Sequence, residues 1–479
     1  MSDRLDASLL AACARDGAAI ALEDDREQLS YAELATVARA TAEALRREGV
    51  QADEPVLVPV ANAPHDIAAI LGVWATGAVA VPVARAAPAA ATEATRAATG
   101  ARLIAAGRGS VSRLSDQPPP PRPLLQGAAL IIFTSGSTGA PKGVVLGHKA
   151  FAGKLGEIDG VLGFSPQTRA LLVLQITFVF GIWFSLLALL KGGRLFMCQR
   201  FDPAAAVADI ARHGITDAAF VPTMLRRIVA LDAAALSALH GPLALNRVHT
   251  GGEPFSVALG ERIREILPQV TVIDIYGLTE TASSNFFMVT RPPDRFAGSI
   301  GRISRSEHFR IADSEGRAGA AGEVGELQIA TPFMMRGYLD QAELTRAAFA
   351  GDFFRTGDLA RQRADGLVEL VGRSKELIYR AGAKVSPLEL DGLIAQHPDV
   401  GAALTVGVAD AITGERIHVL VVPRAGRRLE EAELRRWVAA QIEPYKRPDI
   451  YHFGSELPVG RTGKIDREAL RRRIAAQGK

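Results

Sequence analysis

Residues 131–143 read Ile131-Ile132-Phe133-Thr134-Ser135-Gly136-Ser137-Thr138-Gly139-Ala140-Pro141-Lys142-Gly143. An apolar strand runs into a loop of glycines and small hydroxyl residues, and a lysine closes it. Glycine lets successive backbone N–H groups converge on one anion, the hydroxyls add donors, and the lysine adds a full positive charge. A loop of this kind at the end of a buried strand is a phosphate cradle. It is not a Walker A loop, which needs GxxxxGK followed by Ser or Thr. Counted from Gly136, the sixth position is Pro141, and Lys142 is followed by Gly143.

Strand and helix signals alternate on both sides of the loop. Upstream, Ser30-Tyr31-Ala32-Glu33 has the spacing of a capping box, and Leu34, Val37, Ala38 and Leu45 then fall on one helical face that Gly49 ends. A strand over 55–60, a helix over 64–76 and a strand over 78–83 follow. This alternation predicts an α/β architecture on largely buried sheets. The run Gln117-Pro118-Pro119-Pro120-Pro121-Arg122-Pro123 predicts an extended connector.

Downstream, ALLVLQITFVFGIWFSLLALL (170–190) carries no charge and is long enough for a bilayer. Glycine and β-branched residues interrupt it, and Lys191-Gly192-Gly193 leads into a further strand at 194–197. The segment is therefore expected to be a buried strand over 171–176, a turn over 177–181 and a buried helix over 182–190, not a membrane span. Near Gly372 the texture changes to a small α+β unit, with helices over 387–396 and 430–441 and strands over 402–408 and 418–422. Two domains follow, 1–373 and 374–479.

Bulk properties narrow the function classes. At 479 residues the chain exceeds one ordinary core. A net charge of +3 leaves no electrostatic footprint for nucleic acid. Cys13 and Cys198 form no disulfide or metal pattern, and the nine histidines show no HExxH spacing. The start, MSDRLDASLLAACARDG, lacks a cationic leader, so a cytoplasmic location is expected.

TSGSTGAPKG resembles the signature loop of the acyl-adenylate-forming superfamily, which includes acyl-CoA and aryl-CoA ligases, peptide-synthetase adenylation domains and beetle luciferases. The resemblance covers nearly the whole chain, with further motifs in the family's order. It implies a large N-terminal domain of stacked α/β sheets and a small mobile α+β C-terminal domain. It places Thr134, Ser135, Gly136, Ser137, Thr138, Gly139 and Lys142 on the phosphates of ATP. From Tyr276-Gly277-Leu278-Thr279-Glu280 it implies adenine stacking by Tyr276, an α-phosphate contact from Thr279 and Mg²⁺ binding by Glu280. Gly251-Gly252-Glu253-Pro254 would line the adenine and acyl pockets. Asp358, in Arg355-Thr356-Gly357-Asp358, would bind the ribose, and Arg373 the ribose or a phosphate. Lys375 would be the interdomain hinge, Gly382 would line the thiol tunnel, and Lys464 would be the catalytic lysine of Pro458-Val459-Gly460-Arg461-Thr462-Gly463-Lys464. Gly325-Glu326-Leu327 and Arg336-Gly337-Tyr338 also match and read as architecture.

The resemblance also places the acyl pocket at Phe178, Val179, Gly181, Gly251 and Gly277. Val179 stands where amino-acid activators keep an aspartate for the substrate ammonium. An unpaired buried ammonium is costly, so α-amino acids are disfavoured and an apolar aryl or medium-chain acid is expected. The implied reaction is ATP-dependent formation of an acyl-adenylate and then of a thioester with coenzyme A. The rival acceptor is the phosphopantetheine of a separate carrier protein. A luciferase-like oxygenase would need a specialised pocket, and an inactive binding module would not keep Glu280, Asp358, Arg373 and Lys464 together. The stretch 83–124 is shorter than usual in the family. The acid and the oligomeric state stay open.

Overall fold

The alternation read from the sequence folds into two twisted sheets that share a layer of helices. The computed structural model describes residues 2–134, 141–239, 241, 243–313, 315–410, 412–424, 426–460 and 464–477. The first sheet has nine strands, in the order Arg302–Ile303, Phe286–Thr290, Thr271–Tyr276, Arg247–Gly251, Asp217–Phe220, Arg169–Leu172, Arg194–Met197, Ile20–Glu23 and Gln28–Ser30. Its central strands are parallel and its outer pairings antiparallel. The second has seven, running from Gly337–Tyr338 through Lys142–Gly147, Ala128–Thr134, Val79–Ala84, Pro55–Val60 and Leu103–Ala106 to Ser110–Arg113.

Helices Leu5–Asp16, Tyr31–Arg47, Pro64–Trp74, His148–Leu162 and Val179–Leu190 lie between these sheets. One apolar cluster joins them to Leu22, Leu172 and Leu195 of the first sheet and to Val56, Leu130 and Ile132 of the second. The outer face of the first sheet packs on Pro203–Arg212, Pro222–Val229 and Val257–Ile266. Strands covered on both faces read as continuous apolar runs, which is why alternation within a strand is weak here. The capping box forms as expected: Glu33 N–H donates to Ser30 Oγ at 3.2 Å, and Ser30 N–H to Glu33 Oε2 at 2.7 Å. Such a cap contributes about 1 kcal/mol.

The 170–190 stretch departs from expectation. Its strand is only Arg169–Leu172, and its helix is Val179–Leu190, beginning before residue 182. Residues 173–176 leave the sheet yet stay largely buried, because the Asn62 side chain serves their backbone. Asn62 Nδ2 donates to Leu174 O at 2.9 Å, and Ile176 N–H donates to Asn62 Oδ1 at 3.1 Å. Gly181 sits in the first helical turn rather than in a loop; a Cβ there would meet Gln175 O at 2.6 Å. Among the described residues no helix is long and apolar enough to cross a membrane.

A third, antiparallel sheet contains His308–Ala312, Gly325–Ala330, Phe353–Gln362, Phe349–Ala350 and Val368–Arg373. A fourth begins at Ile378–Arg380 and is dominated by the long hairpin Val400–Asp410 with Gly414–Pro423. Both hairpin strands outrun their expected bounds because they pair along their whole length. The two helices expected in this unit form as Pro387–Ile394 and Glu431–Ala439. Strand Ile450–Phe453 and helix Arg467–Gln477 were not foreseen: one is short and the other carries four arginines and a glutamate, although its Leu470 and Ile474 are buried.

Candidate functional site

Strands Arg247–Gly251 and Thr271–Tyr276 run parallel and end together, Gly251 beside Ile275. In open parallel sheets the crevice beyond the strand C-termini is where ligands bind. Here the backbones leave no space for side chains. A Cβ on Gly251 would sit 2.3 Å from Ile275 O, and one on Gly277 would sit 2.3 Å from Ser284 N. After Glu280 the chain coils through Ala282 (φ 55°) and Ser283 (φ 86°), two non-glycine residues in the left-handed region. Such strain persists only where the surroundings enforce it.

On one side of this crevice stands Asp358. Tyr276 Oη donates to its Oδ2 and Arg373 Nε to its Oδ1, each at 2.6 Å, while its own N–H donates to Thr356 Oγ1 at 3.0 Å. Each carboxylate oxygen keeps a further lone pair for a ligand hydroxyl. Burial raises the Tyr276 phenol well above its usual range, with Asp358 acting the same way; Asp358 also raises Arg373. Two residues before Tyr276, buried Asp274 was missed by sequence reasoning. It borders a narrow cavity with Phe255, Met288, Thr290 and Ser299, and burial pushes it up to about 8. Its only signal was a lone carboxylate within the apolar run Val272–Ile275.

The other side carries Thr134, Lys142 and Glu280. Thr134 and Lys142 face each other across the paired strands. Ser135, Gly136, Ser137, Thr138 and Gly139 lie outside the described residues, as do Arg461, Thr462 and Gly463. Lys142 Nζ is 5.3 Å from the centre of the Tyr338 ring, and Tyr338 Oη donates to Glu280 Oε1 at 2.9 Å. Met335 N–H donates to Glu280 O at 2.8 Å. Arg336-Gly337-Tyr338 is therefore more than architecture, because its tyrosine orients the Glu280 carboxylate. Thr279 and Glu280 share one short helical turn, Thr279–Thr281. A buried network lies behind that turn. Lys154 pairs with Glu307, Asn285 Nδ2 donates to Glu307 Oε2 at 2.9 Å, and Thr281 Oγ1 donates to Asn285 Oδ1 at 2.5 Å. Among the described residues no cluster of three or more His, Cys, Asp or Glu could hold a metal unaided. One carboxylate beside a hydroxyl fits a Mg²⁺ that keeps its remaining ligands from phosphates and water.

The tail closes the crevice. Gly252 (φ 79°) turns the chain in the left-handed region, and a Cβ there would lie 2.8 Å from Lys464 Nζ. Beside it Ile465 N–H donates to Glu253 Oε1 at 2.6 Å. Burial lowers the Lys464 amine, Glu253 opposes this, and Arg373 reinforces it. Burial also lowers Lys375, aided by Arg373 and Lys142. Cations from three chain segments therefore feel one another's charge around this crevice. Pro254 completes the turn before helix Val257–Ile266. Gly382 is not brought here: it is exposed, with open space on the side where a Cβ would stand, and with Ala381 (φ 48°) it forms a left-handed hairpin turn. Among the residues expected to line an acyl pocket and their neighbours, Val179 and Trp183 are buried, Phe178 is half-buried, and Phe180 stacks on Trp183 at 5.1 Å.

Two family models match the chain: the AMP-binding enzyme over residues 9–117 and 105–339, and the AMP-binding enzyme C-terminal domain over 389–464. A sulfoacetate–CoA ligase of Cupriavidus necator is 34% identical over 365 residues, covering 74% of this chain and 68% of that protein. A feruloyl-CoA synthase of an Amycolatopsis species is 30% identical over 377 residues, covering 78% and 75%. In fold, the chain is similar to the anthranilate CoA ligase AuaEII in complex with anthranoyl-AMP, with a TM-score of 0.87 at 23% identity, covering 99% of this chain and 98% of that one.

Proposed function

The chain belongs to the AMP-binding enzymes and is an AMP-forming acid–thiol ligase, and from that premise we propose that it activates an apolar carboxylic acid, aryl or medium-chain, and delivers the acyl group to coenzyme A. A carboxylate resists a thiol because its leaving group would be an oxide ion. Joined to AMP it becomes a mixed anhydride with a good leaving group. In the first half-reaction the acid's oxygen attacks the α-phosphorus of ATP and pyrophosphate departs. In the second, the thiol sulfur attacks the acyl carbonyl and AMP departs.

The observation that carries this reading is the Lys464 amine seated against Gly252, at the crevice that Asp358, Arg373 and Glu280 border. Tyr276 and Asp358 would hold the nucleoside, Arg373 and Thr279 the α-phosphate side, and Thr134 and Lys142 the outgoing phosphates. Glu280 would hold Mg²⁺, which when bound neutralises phosphate charge. Lys464 would stabilise the negative charge that gathers as the α-phosphorus is attacked, a preorganised cation in a site that excludes water. Lys375 would be the hinge about which residues 374–479 turn for the second half-reaction, bringing the open Gly382 turn to the crevice. Buried Val179 and the Phe180–Trp183 stack support an apolar acyl group, and the named CoA ligases among the relatives support coenzyme A over a carrier protein.

The test is pyrophosphate release over a panel of aryl, short, medium and long-chain acids, with coenzyme A or with a holo carrier protein. Acid-dependent release followed by acyl-CoA formation is expected. A purified enzyme that releases no pyrophosphate with any acid, or that loads only the carrier, would refute the proposal.

A further inference from the structure

We propose that Glu253 is a positioning residue whose carboxylate, held in place by Thr223, seats the Lys464-Ile465 segment for adenylation and releases it for thioester formation. This deepens the reading above and rests on it. Donors reach both Glu253 oxygens. Thr223 N–H donates to Oε2 at 2.9 Å, Thr223 Oγ1 lies 2.9 and 2.8 Å from Oε1 and Oε2, and Ile465 N–H donates to Oε1. Arg226 Nη1 lies 3.7 Å from Oε2 and donates to Thr223 Oγ1 at 3.2 Å. The carboxylate is buried, with 4% of its side-chain surface exposed.

Two neighbouring residues thus receive the tail in complementary ways. Gly252 leaves the space that the lysine side chain fills, and Glu253 binds the next backbone N–H. The seat belongs to the large lobe. When the tail departs, Thr223 and Arg226 still compensate Glu253, so no bare buried charge is left behind and the contact can break at low cost. Ile465 N–H would then turn to water. A hydrogen bond to a charged group is strong enough to bias a lobe orientation and weak enough to be reversed.

The experiment uses the full chain with Thr223→Val and Thr223→Ser. Pyrophosphate exchange is compared with thioester formation from synthetic acyl-AMP and coenzyme A. Thr223→Val is expected to lower kcat for exchange about tenfold, leave KM for ATP and the second half-reaction unchanged, and recover in Thr223→Ser. Equal loss in both half-reactions, no loss, or a raised KM for ATP at constant kcat would overturn the proposal. The last result would assign Glu253 to the nucleotide instead. Amide exchange of Ile465 gives a second readout that needs no substrate. In Thr223→Val it should quicken about tenfold while Val419, deep in the same lobe, stays protected; an unchanged Ile465 rate would overturn the seat. An enzyme inactive toward every acid but with a responsive Ile465 would sink the function and spare the seat.

Discussion

Two carboxylates near the crevice, Glu307 and Glu253, are both withdrawn from water and compensated in opposite ways. Glu307 is sealed inside the large lobe with Lys154, and both side chains have 0% exposure. Its partners Asn285 and Thr331 belong to the same lobe. Glu253 keeps Thr223 and Arg226 but takes its shortest hydrogen bond from the other lobe, at Ile465. A charge pair that never separates can brace a strained turn, here Thr279–Thr281 beside left-handed Ala282 and Ser283. A carboxylate satisfied on one side and approached from the other can serve a contact that comes and goes. The difference is between holding a site still and completing it on demand.

Breaking the sealed pair gives the largest expected effect. Lys154→Met leaves Glu307 buried without its cation and should cost about 3–5 kcal/mol, whereas Lys154→Met with Glu307→Leu should recover most of that loss. Urea denaturation at pH 7 checks both. A double variant as unstable as the single one would mean that the pair is not the source of the cost. The Glu253 side of the comparison is broken by Lys464→Ala, expected to cost about 2.7–4 kcal/mol in pyrophosphate exchange, as for other removed transition-state donors. Thioester formation from acyl-AMP should change little, and equal damage to both would erase the contrast.

The smallest effect concerns Asp274, a buried carboxyl that no cation among the described residues pairs with. Its folded pKa, about 8, lies above the ordinary value of 3.8. The folded state therefore holds more protons than the unfolded one between these values. Its stability contribution is fully present below about pH 4 and is lost as pH rises through about 8. Asp274→Asn should remove this slope, gaining on the order of 2 kcal/mol over wild type at pH 6.5 relative to pH 5. Thermal unfolding at the two pH values measures it, and parallel pH curves for both proteins would show that Asp274 carries no shifted titration.

Much of the fold was legible because its signals are local. The Ser30–Glu33 box and the strand–helix alternation each need only neighbouring residues. The 171–190 stretch was misread at its ends because a side chain far away in sequence, Asn62, satisfies the backbone that the strand would have paired. Tyr338 passed for architecture because nothing near it in sequence points to Glu280. Lys154, Glu307 and Thr223 carried no motif at all: a lysine on a helix and a glutamate in a loop look solvent-exposed until the other element arrives.

The amino-acid order by itself determined the chemistry types present, the α/β alternation and the membership in the AMP-binding enzymes. Those follow from residue type and short spacing, which survive without knowledge of neighbours in space. Tertiary structure alone decided which groups meet: Lys464 against Gly252, Ile465 N–H on Glu253, Lys154 on Glu307, Tyr276 and Arg373 on Asp358. Electrostatic energy depends on distance and burial, and both are properties of the packed chain rather than of any segment within it.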